Sequence, residues 1–272
     1  LEVPGFLLRG FRTDDVGKPL FGFSRVSHEK KIEDRFGGWF VTGSPAGIAH
    51  RGNLVGRSDN DRYKSQPGFR SSIQNLAELT AIEKYATNTS DWVAHLVLTH
   101  QMHGLNLMIR ANLEERLGRH SDVVEQLVRY LVFADEAPLN ADAKHSVAFE
   151  WQSSSYAKWF RKQGRNDKQR RSLRDFDLQS RLFRYRLSYL VELDFFNQME
   201  SRCRERIYRR LWDGSTTNDR QKAFAHMDSK EKRAIIEIVA QTKSNRPAHR
   251  KLPKRIRHTC RTHQTLSTNV VD

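Results

Sequence analysis

The segment WVAHLVLTHQMHGLNLMIRANLEERL, residues 92–117, decides the fold class that we predict for this chain of 272 residues. Apolar side chains recur along it at intervals of three and four residues, which places them on one face of an α-helix. Asp91 precedes the segment and is a residue type that caps helix N-termini. Because no other periodic segment in the chain is as long, we expect a mainly α protein organised around this helix.

Shorter segments on both sides also show helical spacing of apolar residues. Pro138 predicts the end of the helix that follows the central one, because a residue before proline resists helical dihedral angles. The further predicted helices cover Leu76–Ala86, Ser121 or Asp122 to Phe133, Ala143–Lys162, Leu178–Leu193, Glu200–Trp212 and Ser229–Lys243.

The first 68 residues differ in composition from the rest of the chain. They are rich in Gly, Pro and Asp, and their short apolar runs are separated by turn signals, a pattern typical of short strands and loops. We therefore expect residues 1–68 to form an irregular, partly β, Gly-rich N-terminal cap on a helical domain of residues 69–243. Residues 244–272 are basic and poor in apolar anchors, and we expect a disordered tail.

A glycine-rich stretch, GGWFVTGSPAGIAHRGNLVG, occupies residues 37–56. It is not a phosphate-binding P-loop, because its GSPAG sequence is not followed by Lys-Ser or Lys-Thr. One interpretation is that the glycines allow tight turns and close backbone contacts. The other is that the loop presents His50, with Trp39 nearby, to a ligand.

Two histidines of the central helix, His100 and His103, are three residues apart and so share one helix face. Such a pair can bind a metal ion, and a neutral histidine can be an axial haem ligand. However, the helix has no HExxH motif, and that face lacks carboxylates. A pair of hydrogen-bonded core or interface histidines is the alternative interpretation.

The net charge of +15 is concentrated in the second half of the chain, since residues 151–272 carry +16 and residues 1–150 carry −1. Clusters of Lys and Arg interleaved with aromatic residues are the composition of surfaces that bind phosphates. No helix-turn-helix, RNA-recognition or zinc-finger motif accompanies them, so we expect non-specific attraction to a polyanion. The predicted polyanion-binding residues are Arg161, Lys162, Arg165, Lys168, Arg170 and Arg171.

Enzymatic activity has little support in the sequence. Cys203 has no evident histidine partner, and the two acidic pairs, Asp135-Glu136 and Asp175/Asp177, lie beside no nucleophile or metal motif. With only two cysteines the chain cannot build a disulfide framework. The sequence shows no recognisable signal peptide and no apolar run of the length that a membrane span requires.

Several segments, in this order, resemble a planctomycete-type family of uncharacterised proteins associated with cytochrome c domains. They are GGWFVTGSPAGIAHRGN, HQMH with IRAN, FADEAPL, SLRDFDLQSRLFRYRLSYL and IYRRLWDG, and the resemblance spans residues 3–243. It implies a haem-associated protein with a role in electron transfer. His50, Trp39 and, more weakly, His100 and His103 are the residues that it implies near a haem.

The chain also departs from this family at three motifs and in its basic tail after Lys243. No CxxCH haem-attachment motif occurs in it, Arg51 stands where the family has Met, and Arg186-Leu187 stand where it has Pro-Cys. The resemblance thus implies either a haem segment upstream, periplasmic if a signal peptide is also present there, or a degenerate haem-free relative. Beside it stand two alternatives: a basic helical module that binds nucleic acid or another polyanion, and a structural scaffold.

Overall fold

The computed structural model describes residues 5–6, 8–43, 48–119, 121–139, 154–216 and 223–243. Within these ranges the regular structure is largely helical, and the one sheet has two strands. The prediction of a mainly α protein is therefore confirmed. The predicted tail, residues 244–272, lies outside the described residues.

The two strands form a hairpin near the start of the chain. β1 (Arg9–Thr13) pairs antiparallel with β2 (Pro19–Arg25). In the connecting turn the Asp14 carboxylate accepts the backbone N–H groups of Val16 and Lys18, and Gly17 takes a φ of 79° that favours glycine. Short strands are thus present where the composition predicted them.

A first helix, α1 (Gly56–Ser65), falls inside the segment for which only strands and loops were predicted. Its sequence, GRSDNDRYKS, is polar on most sides, and Tyr63 is its one large buried side chain. A helix with so small an apolar face gives almost no periodic signal in the sequence.

The long helix α2 (Trp92–Arg116) runs through the core, as predicted, and the Asp91 side chain caps it by accepting the N–H of Ala94 at 2.9 Å. Gly104 lies in its middle, where a Cβ atom would overlap the Leu190 side chain and approach the Tyr130 ring. A glycine at this position therefore lets two neighbouring elements pack directly against the helix backbone.

Three further helices pack around α2 or on one another. α3 (Val123–Leu131) and α6 (Ser201–Thr216) both contact α2 and each other, and α7 (Ser229–Thr242) packs on α6. An ion pair between Arg206 and Glu115, 2.6 Å, links α6 to α2, and one between Arg210 and Glu125, 2.7 Å, links α6 to α3. These helices were predicted with nearly the same bounds.

The helix predicted over Leu76–Ala86 is wrong. The segment contains a single 3₁₀ turn, Leu76–Glu78, closed by a capping box between Asn75 and Glu78. Leu76 is its one buried apolar side chain, while the residues that continue the periodic stripe stay partly or fully exposed. A short helix is stable mainly through the packing of its apolar face, and here most of that face is not buried among the described residues.

The helix predicted over Leu178–Leu193 is also wrong, since only the 3₁₀ turn Tyr189–Glu192 is helical there. The Asp177 carboxylate accepts backbone N–H groups from Gln179, Ser180 and Arg181, and so closes a turn that competes with a helix. The backbone here is irregular, and its apolar side chains are buried on all sides. Because apolar residues are so frequent in this segment, some of them match helical spacing without forming a helix.

Two shorter helices complete the described fold. α4 (Ser155–Lys162) begins at Ser154, whose hydroxyl accepts the N–H of Ala157, and it confirms the end of the helix predicted over Ala143–Lys162. The start of that prediction, residues 143–153, lies outside the described residues. α5 (Asp194–Asn197) is a single turn that leads into α6.

Candidate functional site

His50 points into the protein interior and is completely buried. Its Nδ1 accepts the N–H of Gly52 at 3.0 Å, and its Nε2 lies 3.1 Å from the carbonyl oxygen of Ser71. Rings of Phe36 and Trp92 flank it at centroid distances of 5.9 and 5.0 Å. Burial lowers the pKa of His50 to about 4, so the ring is neutral at pH 7 and both of its nitrogens are engaged.

Trp39 is partly buried beside the same group of rings. Its indole N–H donates to the Arg9 carbonyl at 3.2 Å, which ties the loop to β1, and its ring lies 5.2 Å from that of His95. The described part of the glycine-rich stretch thus folds inward around packed rings, and neither Trp39 nor His50 faces an open site.

His100 is fully buried and belongs to a chain of hydrogen bonds. Its Nε2 lies 2.7 Å from the Ser188 hydroxyl, and its Nδ1 lies 2.8 Å from Nδ1 of His28. The rings of Tyr130 and Phe133 stack on it at 5.2 and 4.7 Å. Burial lowers the pKa of His100 to about 3.

His28 is the other end of this chain, and the sequence analysis did not single it out. Burial and the neighbouring His100 hold its pKa well below the ordinary value of 6.5. Arg35, also buried, donates to the backbone carbonyls of His28 and Lys30 and so fixes the segment that carries the ring. Within the described ranges the Nε2 atom of His28 has no hydrogen-bond partner.

His103 lies near the buried pair but is partly exposed. Its ring meets Tyr130 edge-on at 4.8 Å, so His100 and His103 do share one side of α2, as their spacing predicted. Desolvation and the nearby Arg25 lower the pKa of His103. It therefore flanks the His28–His100 pair without joining its hydrogen bonds.

His50 and His100 do not fit as ligands of a haem or a metal ion. His50 and His100 use both ring nitrogens within the protein, and they belong to different groups of packed rings. Among the described residues no three His, Cys, Asp or Glu side chains are grouped to hold a metal ion. What the buried histidines supply is a hydrogen-bonded connection between the N-terminal segment, α2 and the chain at Ser188.

A cleft of about 400 Å³ opens where α2 and α4 begin, lined by Thr42, Gly43, Gln74, Asp91, Trp92, Val93 and Ser154. Exposed helix N-termini attract anions. Here, however, Asp91 and Ser154 already cap the two helices, and the Asp91 carboxylate adds a negative charge. The cleft is therefore not suited to an anionic ligand.

The predicted polyanion-binding residues lie at the C-terminal end of α4 and in the turn that follows it. Five of the six side chains are exposed: Arg161, Lys162, Arg165, Lys168 and Arg170. Among the described residues none of these five forms an ion pair with a carboxylate. We call these five residues the α4 basic surface.

Arg171, the sixth predicted residue, is not part of this surface. Its side chain is largely buried and forms ion pairs with Asp167 at 2.6 Å and with Glu237 at 2.8 Å. Other arginines in the basic half also form ion pairs with carboxylates that are distant in the chain. The pairs are Arg186–Glu231, Arg206–Glu115 and Arg210–Glu125.

Two neighbours of the α4 basic surface are not among the predicted polyanion-binding residues. Lys158 is an exposed cation one turn before Lys162. Trp159 exposes 55% of its surface, whereas the other buried or half-buried aromatic residues of α4 face the core. Their helical spacing relative to Lys162, at i−4 and i−3, could have identified them.

No family model, no curated protein and no solved structure matches this chain. In the described part of the chain, no helix combines the length and apolar character that a membrane crossing requires.

Proposed function

We propose that this protein binds nucleic acid through the α4 basic surface. The observation that carries the proposal is the sorting of charge in the basic half of the chain. Arginines in the interior of this half are paired with carboxylates. In contrast, the five residues of the α4 basic surface are exposed, and none of them has such a partner among the described residues. Unpaired exposed cations can release counterions when they neutralise phosphates, which is the main source of affinity for nucleic acid.

The turn that carries three of the five residues of this surface is held by hydrogen bonds. Asp167 is buried, and its carboxylate accepts the backbone N–H groups of Gln169 and Arg171 at 2.9 and 2.8 Å. Arg165 donates to the Thr242 carbonyl at the end of α7, at 3.2 Å. Lys168 and Arg170 are therefore presented from a fixed backbone, which lowers the entropy lost when they contact phosphates.

A salt titration of binding tests the proposal. Fluorescence anisotropy of a labelled oligonucleotide, single-stranded or duplex, should show affinity that falls steeply between about 50 and 200 mM salt. Each phosphate neutralised contributes a slope of about −0.7 for single strands or −0.9 for duplexes in log K against log salt. In the triple variant R161Q/K162Q/K168Q the slope should therefore become shallower by about 2 to 3.

A matched control separates this surface from net charge alone. The variant K84Q/K230Q/R233Q removes the same three charges at exposed positions elsewhere, none of them in an ion pair among the described residues. Equal weakening by both triple variants would show that the attraction is not located at α4. Deletion of residues 246–272 completes the design: if it alone abolishes binding, the basic tail carries the function and the proposal is wrong.

The haem-associated role that the family resemblance implies remains a separate prediction. His50 and His100 do not supply it with a ligand, because their ring nitrogens are already engaged. Titration of the chain with hemin distinguishes the two roles: a Soret band that weakens in His50→Ala would favour the haem role. An unchanged hemin spectrum in that variant removes His50 as a ligand.

A further inference from the structure

The exposed ring of Trp159 indicates which form of nucleic acid the α4 basic surface binds. A large aromatic side chain that is 55% exposed is unusual on a helix whose other exposed residues are all polar or basic. These other residues are Ser155, Lys158, Arg161 and Lys162. On α4 the exposed apolar area is thus one ring among cations, smaller than the contiguous patch that marks a docking site for a folded protein.

The position of Trp159 on the helix places cations on one side of its ring. Residues advance by about 100° around an α-helix, so Lys158 and Lys162 fall on the same flank of Trp159 while Ala157 and Phe160 face the core. Lys162 lies one turn further along, where Cβ atoms are about 5 to 6 Å apart. Phosphates that contact these lysines would hold the attached nucleotides beside the ring.

The other flank of the ring is supported by a partly buried aromatic residue. Tyr156 lies 5.8 Å from Trp159 between ring centroids, and Tyr156 stacks in turn on the buried Phe160 at 5.9 Å. Among the described residues Tyr156 is the one ring that contacts Trp159, and no Arg or Lys lies over its face. The indole therefore has one tilted ring contact among the described residues, and 55% of its surface is exposed.

We infer that Trp159 stacks on an unpaired base, and that the ligand of the α4 basic surface is single-stranded nucleic acid. This inference rests on the proposed function. Aromatic side chains beside backbone-neutralising cations are the means by which proteins bind single strands without reading sequence. A duplex offers phosphates to the lysines, but its bases are stacked on one another and cannot cover the indole.

The test compares three probes on the full chain. They are a labelled oligothymidylate, a duplex of the same length, and inorganic polyphosphate, which carries charge but no bases. Trp159→Ala should weaken binding of the oligothymidylate by about 5- to 150-fold, the range measured for loss of one stacked base. Its affinity for the duplex and for polyphosphate should match that of the unaltered chain.

Two controls make the result interpretable. Trp159→Phe should keep most of the affinity for the oligothymidylate, because phenylalanine also offers a flat ring. Thermal unfolding of Trp159→Ala should be unchanged, since the side chain is mostly exposed. Quenching of tryptophan fluorescence by the oligothymidylate should be smaller in Trp159→Phe, which a merely structural role would not produce.

The possible failures are distinguishable. If Trp159→Ala binds the oligothymidylate as tightly as the unaltered chain, the stacking inference is overturned while the charge-based proposal stands. If Trp159→Ala loses affinity for all three probes equally, Trp159 acts through the surface structure and the inference is again wrong. If the unaltered chain binds none of the probes in a salt-dependent way, the proposed function itself fails.

Discussion

Nδ1 of His28 lies 2.8 Å from Nδ1 of His100, although the two residues are separated by 72 positions in the chain. One of the two atoms must carry the proton and the other must accept it, so at least one ring is neutral. Burial lowers the pKa of both rings, which keeps both neutral at pH 7. The contact joins the segment after the N-terminal hairpin to the middle of α2. It is a polar contact in a core of stacked aromatic rings, where its loss is costly.

The first prediction concerns the strength of this contact. Replacing either histidine with leucine leaves the other with an unsatisfied buried nitrogen, and each single change should destabilise the protein by about 2 to 3 kcal/mol. The double variant H28L/H100L should cost less than the sum, with a coupling energy of about 1 to 2 kcal/mol. Urea unfolding of the unaltered protein, the two single variants and the double variant measures this coupling energy.

A pair of distant residues provides the reference for this double-mutant cycle. His28→Leu combined with Glu205→Ala, an exposed position on α6, should be additive to within about 0.5 kcal/mol. Additivity of H28L with H100L as well would mean that the 2.8 Å contact contributes no pairwise stabilisation.

Acid should destabilise the protein through its buried histidines. The folded pKa of His50 is lowered to about 4 and that of His100 to about 3, and that of His28 is also lowered, from an ordinary value of 6.5. The unfolded chain therefore binds more protons than the folded one below about pH 6.5. The free energy of unfolding should be highest above that pH. It should decrease as the pH drops toward 4, by about 1.4 kcal/mol per pH unit for each histidine.

Urea unfolding at a series of pH values between about 7.5 and 4.5 checks this slope. In His100→Gln one titrating group is removed, so the pH dependence should become shallower even though the variant is less stable at neutral pH. A free energy of unfolding that stays constant across the range would contradict the buried, neutral state of these rings.

A third prediction concerns the turn beneath the α4 basic surface. The Asp167 carboxylate is buried, accepts two backbone N–H groups and pairs with Arg171. Asp167→Asn breaks a buried pair and should destabilise the protein by about 3 kcal/mol. Because Arg171 keeps its pair with Glu237, the loss should fall short of unfolding the chain.

Differential scanning calorimetry of Asp167→Asn measures the loss, and Asp194→Asn, at an exposed acidic position, is the matched control. The control should stay within about 0.5 kcal/mol of the unaltered protein. Equal stability of both variants would show that the turn does not depend on the buried carboxylate.

The sequence alone determined the helices that bury one continuous apolar face. α2 with its Asp91 cap, α3, α6 and α7 could be predicted because their spacing and capping residues are local properties of the chain. The helices predicted over residues 76–86 and 178–193 were wrong because neither segment buries one continuous apolar face. In residues 76–86 the periodic stripe stays mostly unburied among the described residues, and in residues 178–193 apolar side chains are buried in every direction.

Only the tertiary structure decided the roles of the histidines and of the cations. The spacing of His100 and His103 allowed either a ligand pair or a satisfied core pair, and His28, 72 residues away, is what engages His100. Likewise a run of basic residues does not show which of them are neutralised. Arg171 finds Glu237 across the fold while Lys162 and Trp159 stay exposed, because ion pairing and burial depend on residues far apart in the chain.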